Sequence, residues 1–559
     1  MDGPVLPKWR LLVLITRQVQ LEADGSTNTD NLYSLCAGLF LSLIDTTIVA
    51  TALYTIGVDF ENLNGVAWVA LAYTLSYLGC VVIFARLADI IGRQYAYVAA
   101  SVIFMAFSLG CGFAKSLNTL IICRIFQGIG GSGLYSLTMV IFPEISTLNM
   151  RKWIGGVIGA VVAMSGVLGP VLGGVITSKT TWRWIFWINA PIGTIPLILF
   201  CIAWPKADQI RHAERRPLKD LDIISSILLI AASVLVVFAL QEGGITSNSW
   251  GTPLFLVPII IGIICWISLF GWEYLAHKHW TRLLTMFPFR VMSNRVYSAA
   301  AMSTLLTGFS YFVVIYSLPL RFQVVNQKSA LDAGVGLLPM LGSTAVGSMV
   351  GGRLSGNKNR TFQTLFAGSC LMLLGIGLLT TLENTDKVQA KTYGFLVFVG
   401  LGFGLTVSTT SLLSAVECEL EDAAVGQGIV AQWRMLGGSI GIAASTAILS
   451  VIEQVQLNGI VSSSQLASIQ HSAALLTAEQ LHAVKQAYSD AFREDMQVCS
   501  VIAGVCILVA LGTWQKCPMT ILERRNQQVI NEETRRRAAG ARRAAAEEKD
   551  KTVLGTELV

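Results

Sequence analysis

The feature that most constrains this chain is a series of long apolar runs. A helix needs about 20 mostly apolar residues to cross a bilayer core of about 30 Å. About fourteen runs of this kind can be read along the chain. In lipid each is predicted to be helical, because a helix satisfies its own backbone hydrogen bonds. The predicted spans are 32–57, 66–85, 95–114, 117–141, 153–177, 184–204, 221–241, 253–273, 298–318, 333–352, 362–381, 393–415, 425–451 and 496–515.

Composition supports the same conclusion. Of 559 residues, 53% are hydrophobic and only 13% are charged, where a soluble protein has roughly 25% charged residues. A soluble fold of this size cannot bury so much apolar surface. We therefore predict an all-α integral membrane protein surrounded by lipid. The net charge of +6 is modest, and the basic residues are spread over short loops and a tail, so no nucleic-acid partner is expected.

Loop charges predict the orientation. Cytoplasmic loops of membrane proteins carry an excess of Lys and Arg. With the N-terminus in the cytoplasm, the outer loops contain few cations, among them Lys115, Lys179, Arg183, Arg321, Lys328, Lys387 and Lys391. The inner loops and tail contain many more cations, although the inner segment 417–422 is acidic. We expect both termini in the cytoplasm and a location in the plasma membrane, with the vacuolar membrane as the alternative.

Four segments lie outside the predicted spans. Residues 1–31 are read as a cytoplasmic tail and 205–220 as a basic linker. Residues 453–495 are read as a long polar outer loop, with a helix-like stretch at Ala478–Gln486 but no span. The tail 516–559 is rich in Arg, Ala and Glu. It is expected to be a solvated helix or disordered, or to contact anionic lipid with its first half.

Three ionisable residues fall deep inside apolar spans, where a charge costs several kcal/mol and usually faces a cavity. They are Asp45, Arg124 and Arg434. At 1.5 Å per residue, Asp45 and Arg124 are predicted at similar depth, about 18–20 Å from the inner edge. Either they form fixed ion pairs between helices, or they serve proton coupling or substrate binding. Glu273 is expected to reach the interface from its helix end.

The fifth span is rich in small residues. Gly155, Gly159 and Ala163 step by four, as do Gly166, Pro170 and Gly174. Each set predicts a smooth face for close helix packing, and Pro170 removes one helix hydrogen bond. Such a face is either a plain packing surface or one that moves during transport.

Motifs of other protein classes are not found. The chain has 11 cysteines, but no CxxC pair and no Cys/His spacing typical of zinc. HExxH and P-loop motifs are missing as well. We therefore expect no enzymatic activity, no metal, no bound cofactor and no direct use of ATP.

Five segments in chain order carry a resemblance to a known family. They are Ser42–Leu53 with Asp45, Ala85–Gln94 with Asp89, Gly92 and Arg93, Leu120–Gly130 with Arg124 and Gln127, Gly166–Gly174, and Trp182–Pro191. In this order they resemble the fourteen-helix drug:proton antiporter branch of the major facilitator superfamily, and fungal toxin and multidrug efflux pumps in particular. Two positions depart from the pattern, since Ala85 and Ser165 stand where glycine is common. Segments 318–323, 333–339 and 426–441 agree with the branch.

The resemblance implies a fold and roles for these residues. Two six-helix bundles, 32–204 and 298–515, would rock around a central site, with 205–297 as a linker and a two-helix insert. Asp45 would exchange a proton, with Arg124 and Gln127 beside it, and Arg434 and Gln432 would face the cavity. Asp89, Gly92 and Arg93 would form an inner gate. Gly166, Gly169, Pro170, Gly173 and Gly174 would form the antiporter motif.

These observations predict a monomeric, proton-driven exporter of an amphipathic small molecule such as a toxin, secondary metabolite or drug. The energy source would be the proton gradient. An uptake permease of the same superfamily, for instance for a siderophore, is the nearest alternative. A membrane sensor that transports nothing is an alternative of another class, although the tail has no visible signalling domain. A membrane enzyme fits least.

Overall fold

A computed structural model describes residues 25–49, 52–61, 66–145, 148–204, 221–243, 249–279, 283–419, 422–460, 477–516 and scattered positions from 518 to 534. The linker 205–220, the middle of the predicted outer loop at 461–476 and nearly all of the tail lie outside the described residues. Within the described part, regular structure is helical, apart from an isolated bridge between Leu221 and Leu284.

Among the described residues, fourteen helical segments are long and apolar enough to span a membrane, which confirms the predicted all-helical membrane fold. The helices are α1 Gly25–Ile48, α2 Leu53–Asp59, α3 Ala67–Ile91, α4 Arg93–Gly112, α5 Leu117–Ile145, α6 Leu148–Lys179, α7 Trp184–Trp187, α8 Asn189–Ala203, α9 Ile223–Gly243, α10 Pro253–His279, α11 Phe289–Met292, α12 Arg295–Val324, α13 Ala330–Val335, α14 Leu338–Lys358, α15 Thr361–Leu379, α16 Lys391–Glu417, α17 Ala423–Leu457 and α18 Ala478–Leu511.

The helices pack into two groups with separate cores. In the first group α3 and α4 pack against α5, while α6 and α8 pack against α1. In the second, α14 and α15 pack against α16, and α17 and α18 against α12. Tyr97 and Phe104 lie in the first core, and the stacked rings of Tyr311 and Phe403, 3.6 Å apart, lie in the second. The groups meet where α6 contacts α14 and α3 contacts α17.

The helix pair α9 and α10 is more than a peripheral addition, because α9 packs against both α3 and α17. Leu75 and Leu78 of α3, Val237 of α9 and Leu436 of α17 share one buried cluster. Glu273 of α10 does not reach the interface as expected, since it is only 1% exposed. Its Oε1 accepts hydrogen bonds from Ser225 Oγ at 2.5 Å and the Phe287 amide at 2.9 Å. These donors satisfy one carboxylate oxygen inside the protein.

Some boundaries differ from the predicted spans. The first helix begins at Gly25, inside the predicted tail, and ends at Ile48, with the separate helix α2 following. The predicted outer loop is shorter, because α17 continues to Leu457 and α18 already begins at Ala478. Thr477 and Gln480 form a capping box at that start. Hydropathy alone could not locate it, since the first turns of α18 are polar but helical.

The helix assembly has two ends, the Asp89 end and the Asp59 end. The Asp89 end contains the α3–α4 connection at Gly92 and the α16–α17 connection near Asp422. The Asp59 end contains the α4–α5 and α6–α7 connections, and there Trp182 Nε1 donates to Asp59 at 3.0 Å.

Candidate functional site

A buried ion pair joins α1 to α5. Asp45 is fully buried and Arg124 is 1% exposed. Arg124 Nη1 donates to Asp45 Oδ2. Two charges predicted at similar depth therefore do meet. Pairing is expected for charges in a medium where each alone would be costly.

Two amides complete the surroundings of Asp45. Gln127 Nε2 and Asn189 Nδ2 donate to Asp45 Oδ1 at 3.0 and 3.1 Å. Asn189 also donates to Ser108 Oγ at 3.0 Å, which fixes its orientation. Asp45 thus accepts three hydrogen bonds, one from the arginine and two from the amides. This role of Asn189 was not predicted from the sequence, although the residue begins α8 directly after the tryptophan-rich segment.

Arg124 is held on its other sides as well. Its Nε donates to the Val69 carbonyl at 3.0 Å, and its guanidinium lies 4.2 Å from the centre of the Tyr73 ring. Tyr73 is oriented by donating to the Ser42 carbonyl at 2.9 Å. Protonating Asp45 would leave the arginine with a neutral partner in a buried place. Separating the two charges would therefore be costly while the helices keep this arrangement.

Gln432 and Arg434 lie on different sides of α17. Gln432 Nε2 donates to the Leu78 carbonyl at 3.3 Å and to Ser233 Oγ at 3.2 Å, which places it at the junction of α3, α9 and α17. Arg434 is two residues, about 200°, further round the helix. It is 5% exposed, and its Nε and Nη2 are buried without a hydrogen-bond partner among the described residues.

The predicted gate loop forms a turn with an internal ion pair. Gly92 has φ of +96° and separates α3 from α4, a conformation that favours glycine. Arg93 Nη1 lies 2.5 Å from Asp89 Oδ1. Because Asp89 belongs to α3 and Arg93 to α4, two helices of the same group, this pair does not by itself connect the two helix groups.

Arg86, which lies in the segment Ala85–Gln94, makes that connection. Its Nη2 lies 3.2 Å from Asp422 Oδ1, and its Nε donates to the Thr285 carbonyl at 2.8 Å. Its Nη1 is also 3.8 Å from Asp89 Oδ2. One nearly buried arginine of α3 therefore contacts the segment before α12 and the residue before α17.

Position 85 is alanine where the family pattern has glycine, and a glycine of the opposing helix α17 faces it. Ala85 is fully buried and clusters with Val140 and Ala424. A Cβ added at Gly428 of α17 would lie 3.1 Å from the Ala85 Cβ. The close approach of α3 and α17 is thus preserved, with the glycine on the other side of the contact.

The glycines of α6 do not all serve close packing. A Cβ at Gly169 would overlap the Thr47 side chain, and Thr47 Oγ1 donates to the Ser165 carbonyl at 3.0 Å. No atom lies within 4 Å of a Cβ built at Gly166 or Gly174. The predicted packing face through these two glycines is therefore wrong, and α1 packs on the Gly169 face. Gly173 is buried in the same helix, whereas the side chain of Pro170 is outside the described positions.

A further buried carboxylate, which the sequence did not single out, lies in α18. Asp495 is 4% exposed, and its Oδ2 accepts hydrogen bonds from Ser317 of α12 at 2.6 Å and Ser445 of α17 at 2.5 Å. Arg321 lines the same small recess and donates to Ser489 Oγ at 2.9 Å. The misplaced start of the last helix hid this residue, which had been assigned to a loop. Among the described residues, no group of three His, Cys, Asp or Glu could hold a metal ion.

Comparisons with known proteins agree with this architecture. The family model described as Major Facilitator Superfamily matches residues 35–442. The MFS-type transporter FPY5 of Fusarium mangiferae is 33% identical over 494 residues, 86% of this chain and 82% of that protein. The efflux pump aflT of Aspergillus parasiticus is 29% identical over 490 residues, 86% of this chain and 94% of that protein.

The chain also resembles a solved structure, and this similarity concerns the fold alone. A crystal structure of the human organic anion transporter MFSD10 aligns with a TM-score of 0.52 at 12% sequence identity, covering 85% of this chain and 99% of that chain. The family match spans most of the fourteen-helix region, and the two relatives each match 86% of the chain. The chain therefore belongs to the major facilitator superfamily of membrane transporters.

Proposed function

We propose that this transporter exports an amphipathic small organic molecule in exchange for protons, by alternating access. The observation that carries the proposal is Asp45, a fully buried carboxylate held by Arg124 and by the amides of Gln127 and Asn189. A buried acid that can exchange a proton only when its partners rearrange links protonation to helix movement. The proton gradient is then the energy source, without a cofactor or chemical change of the substrate.

In this proposal the helix groups 32–204 and 298–515 move against each other. The Arg86–Asp422 contact holds them together at the Asp89 end, and Asp89, Gly92 and Arg93 shape the loop beside it. Breaking this contact would allow that end to open. The glycine-rich helix α6 supports the movement, because it packs on α14 across the boundary between the groups.

Direction and location belong to the same proposal. Two fungal relatives, aflT of Aspergillus parasiticus and dotC of Dothistroma septosporum, are named efflux pumps. The excess of Lys and Arg in the predicted inner loops supports a cytoplasmic location of the Asp89 end and of both termini. We place the protein in the plasma membrane as a monomer that binds its small-molecule substrate and protons, and no nucleic acid.

The test measures substrate flux in sealed inside-out vesicles with an imposed proton gradient and a panel of hydrophobic toxins and dyes. We expect accumulation that a protonophore abolishes and that Asp45→Asn eliminates at equal protein level. The control is Asp59→Asn, which changes an acid at the Asp59 end that is 45% exposed and paired with Arg183. Full proton-driven flux in Asp45→Asn would refute the role of Asp45. Flux only in right-side-out vesicles would indicate uptake instead.

A further inference from the structure

We propose that Arg434 binds an anionic group of the substrate, so that the transported molecule is an organic acid, with a carboxylate as its simplest form. This inference rests on the proposed transport function and narrows its substrate class. Four arginines of the described residues are buried, namely Arg86, Arg124, Arg321 and Arg434. A comparison of their partners separates Arg434 from the rest.

The other three buried arginines have polar partners from the protein. Arg86 contacts Asp422, Arg124 contacts Asp45, and Arg321 donates to Ser489 Oγ and, at 2.7 Å, to the Glu383 carbonyl. For Arg434, neither a carboxylate within 4.0 Å nor a hydrogen-bond acceptor is found among the described residues, and its Nε and Nη2 are fully enclosed. A buried cation without a counter-charge is costly, and an anion supplied from outside would remove that cost.

Arg434 lies too deep in the membrane for its guanidinium group to reach the membrane surface. It is 11 residues beyond Ala423, the first residue of α17, and therefore about 16 Å from the Asp89 end of the helix. In a core of about 30 Å this is the middle of the bilayer. Side chains reach the interface from helix ends, not from this depth.

The surroundings of Arg434 are protein and not lipid. Residues Ala424 to Arg434 are all buried, so this part of α17 has no lipid-exposed face. The helices α3, α9, α12, α16 and α18 all pack against α17. The backbone of Arg434 itself packs on α12, since a Cβ at Gly308 would overlap its carbonyl. An unpaired charge inside the assembly, at the depth where transporters of this architecture bind their substrates, is best explained by a ligand.

The chemistry of the guanidinium selects the kind of ligand. A planar guanidinium offers parallel N–H donors that match the two oxygens of a carboxylate. Asp45 is already compensated by Arg124, so it does not offer a free negative charge to a cationic substrate in this state. The arrangement therefore favours an acid over its neutral ester or a cationic amine of the same size.

The test measures binding to the purified full-length protein in nanodiscs, without a proton gradient. The probes are 11-(dansylamino)undecanoic acid and its methyl ester, followed by energy transfer from tryptophan. We expect the acid to bind about tenfold or more tightly than the ester, as for a charged hydrogen bond. Arg434→Gln should remove that preference, while Arg434→Lys should retain part of it. Arg290→Gln, which changes an arginine that is 51% exposed, is the control.

Ester binding by Arg434→Gln shows that the variant is folded, and Arg434→Lys gives a second charged form if it is not. Equal binding of acid and ester to the unmodified protein would overturn the proposal, as would an unchanged preference in Arg434→Gln. Because no gradient is used, the result is independent of proton coupling. Acid binding that depends on Arg434 but is accompanied by no proton-driven flux would contradict the proposed function and leave the anion site intact.

Discussion

Arg86 and Asp422, 336 positions apart in the chain, lie 3.2 Å from each other at the Asp89 end of the molecule. Their contact is the ion pair that joins α3 to the start of α17. Arg86 is 2% exposed and Asp422 is 19% exposed, so water screens the pair only partly. We expect it to stabilise the state in which this end is closed.

Replacing Asp422 by Asn should therefore open the Asp89 end. The loss of one charged hydrogen bond is worth about 1.5–3 kcal/mol, enough to raise the open population by about tenfold or more. The measurement is maleimide labelling of Cys418, which is 1% exposed and lies beside Gly426, in a variant that keeps it as the single cysteine. Labelling should become several-fold faster.

The control for that experiment is Arg290→Gln, which breaks the neighbouring but exposed Arg290–Glu419 pair, 2.8 Å apart. Exposed pairs contribute about 0–1 kcal/mol, so labelling should hardly change. The exchange Arg86→Asp with Asp422→Arg should restore slow labelling. Equal labelling rates in Asp422→Asn and the unmodified protein would show that the pair does not hold this end closed.

The glycines of α6 provide a second prediction. Gly169→Ala should lower the thermal stability of the purified protein, because the new methyl group would overlap Thr47. Overpacking of this kind costs about 1–3 kcal/mol. Gly166→Ala is the matched control in the same helix, since nothing lies within 4 Å of the added atom. A melting temperature that falls equally in both variants would contradict the assignment of the packing face.

This contrast shows where sequence reasoning stops. The spacing of four between Gly166, Pro170 and Gly174 correctly indicates one helix face, but it does not say where the neighbouring helix lies. That depends on the packing of α1, which places Thr47 opposite Gly169. Composition and apolar runs, by contrast, are properties of single segments, and the fourteen helices could be predicted from them.

The candidate site also contains residues that could be predicted from the sequence and residues that could not. Asp45 and Arg124 could be paired in advance because each is an isolated charge at a calculable depth. Asn189 is a neutral residue at a helix start, and its role emerges only where α8 brings it to Asp45. The Arg86–Asp422 contact joins residues hundreds of positions apart, and one sequence contains no signal for such a pair.

Asn189 gives a third prediction. Asn189→Leu removes a donor to Asp45 and one to Ser108, which leaves a buried carboxylate and a hydroxyl with fewer partners. Thermal unfolding should show a loss of about 1–3 kcal/mol, together with reduced substrate flux. Asn384→Leu, which alters an exposed amide bonded to Gln486 at 2.7 Å, should leave both unchanged. If Asn189→Leu kept the stability and flux of the unmodified protein, Asn189 would have no role in the site.

Asp495 gives the last prediction, because its Oδ2 is the common acceptor for hydroxyl groups from two other helices. Asp495→Leu leaves the hydroxyls of Ser317 and Ser445 buried without this acceptor and should lower the free energy of unfolding by about 1–3 kcal/mol. Asp495→Asn keeps an acceptor oxygen of similar size and should lose less. Adding Ser317→Ala and Ser445→Ala to Asp495→Leu should recover part of the loss, since the stranded hydroxyls are then gone. A triple variant as unstable as the sum of its single changes would mean that the three side chains act independently, contrary to the geometry of their contact.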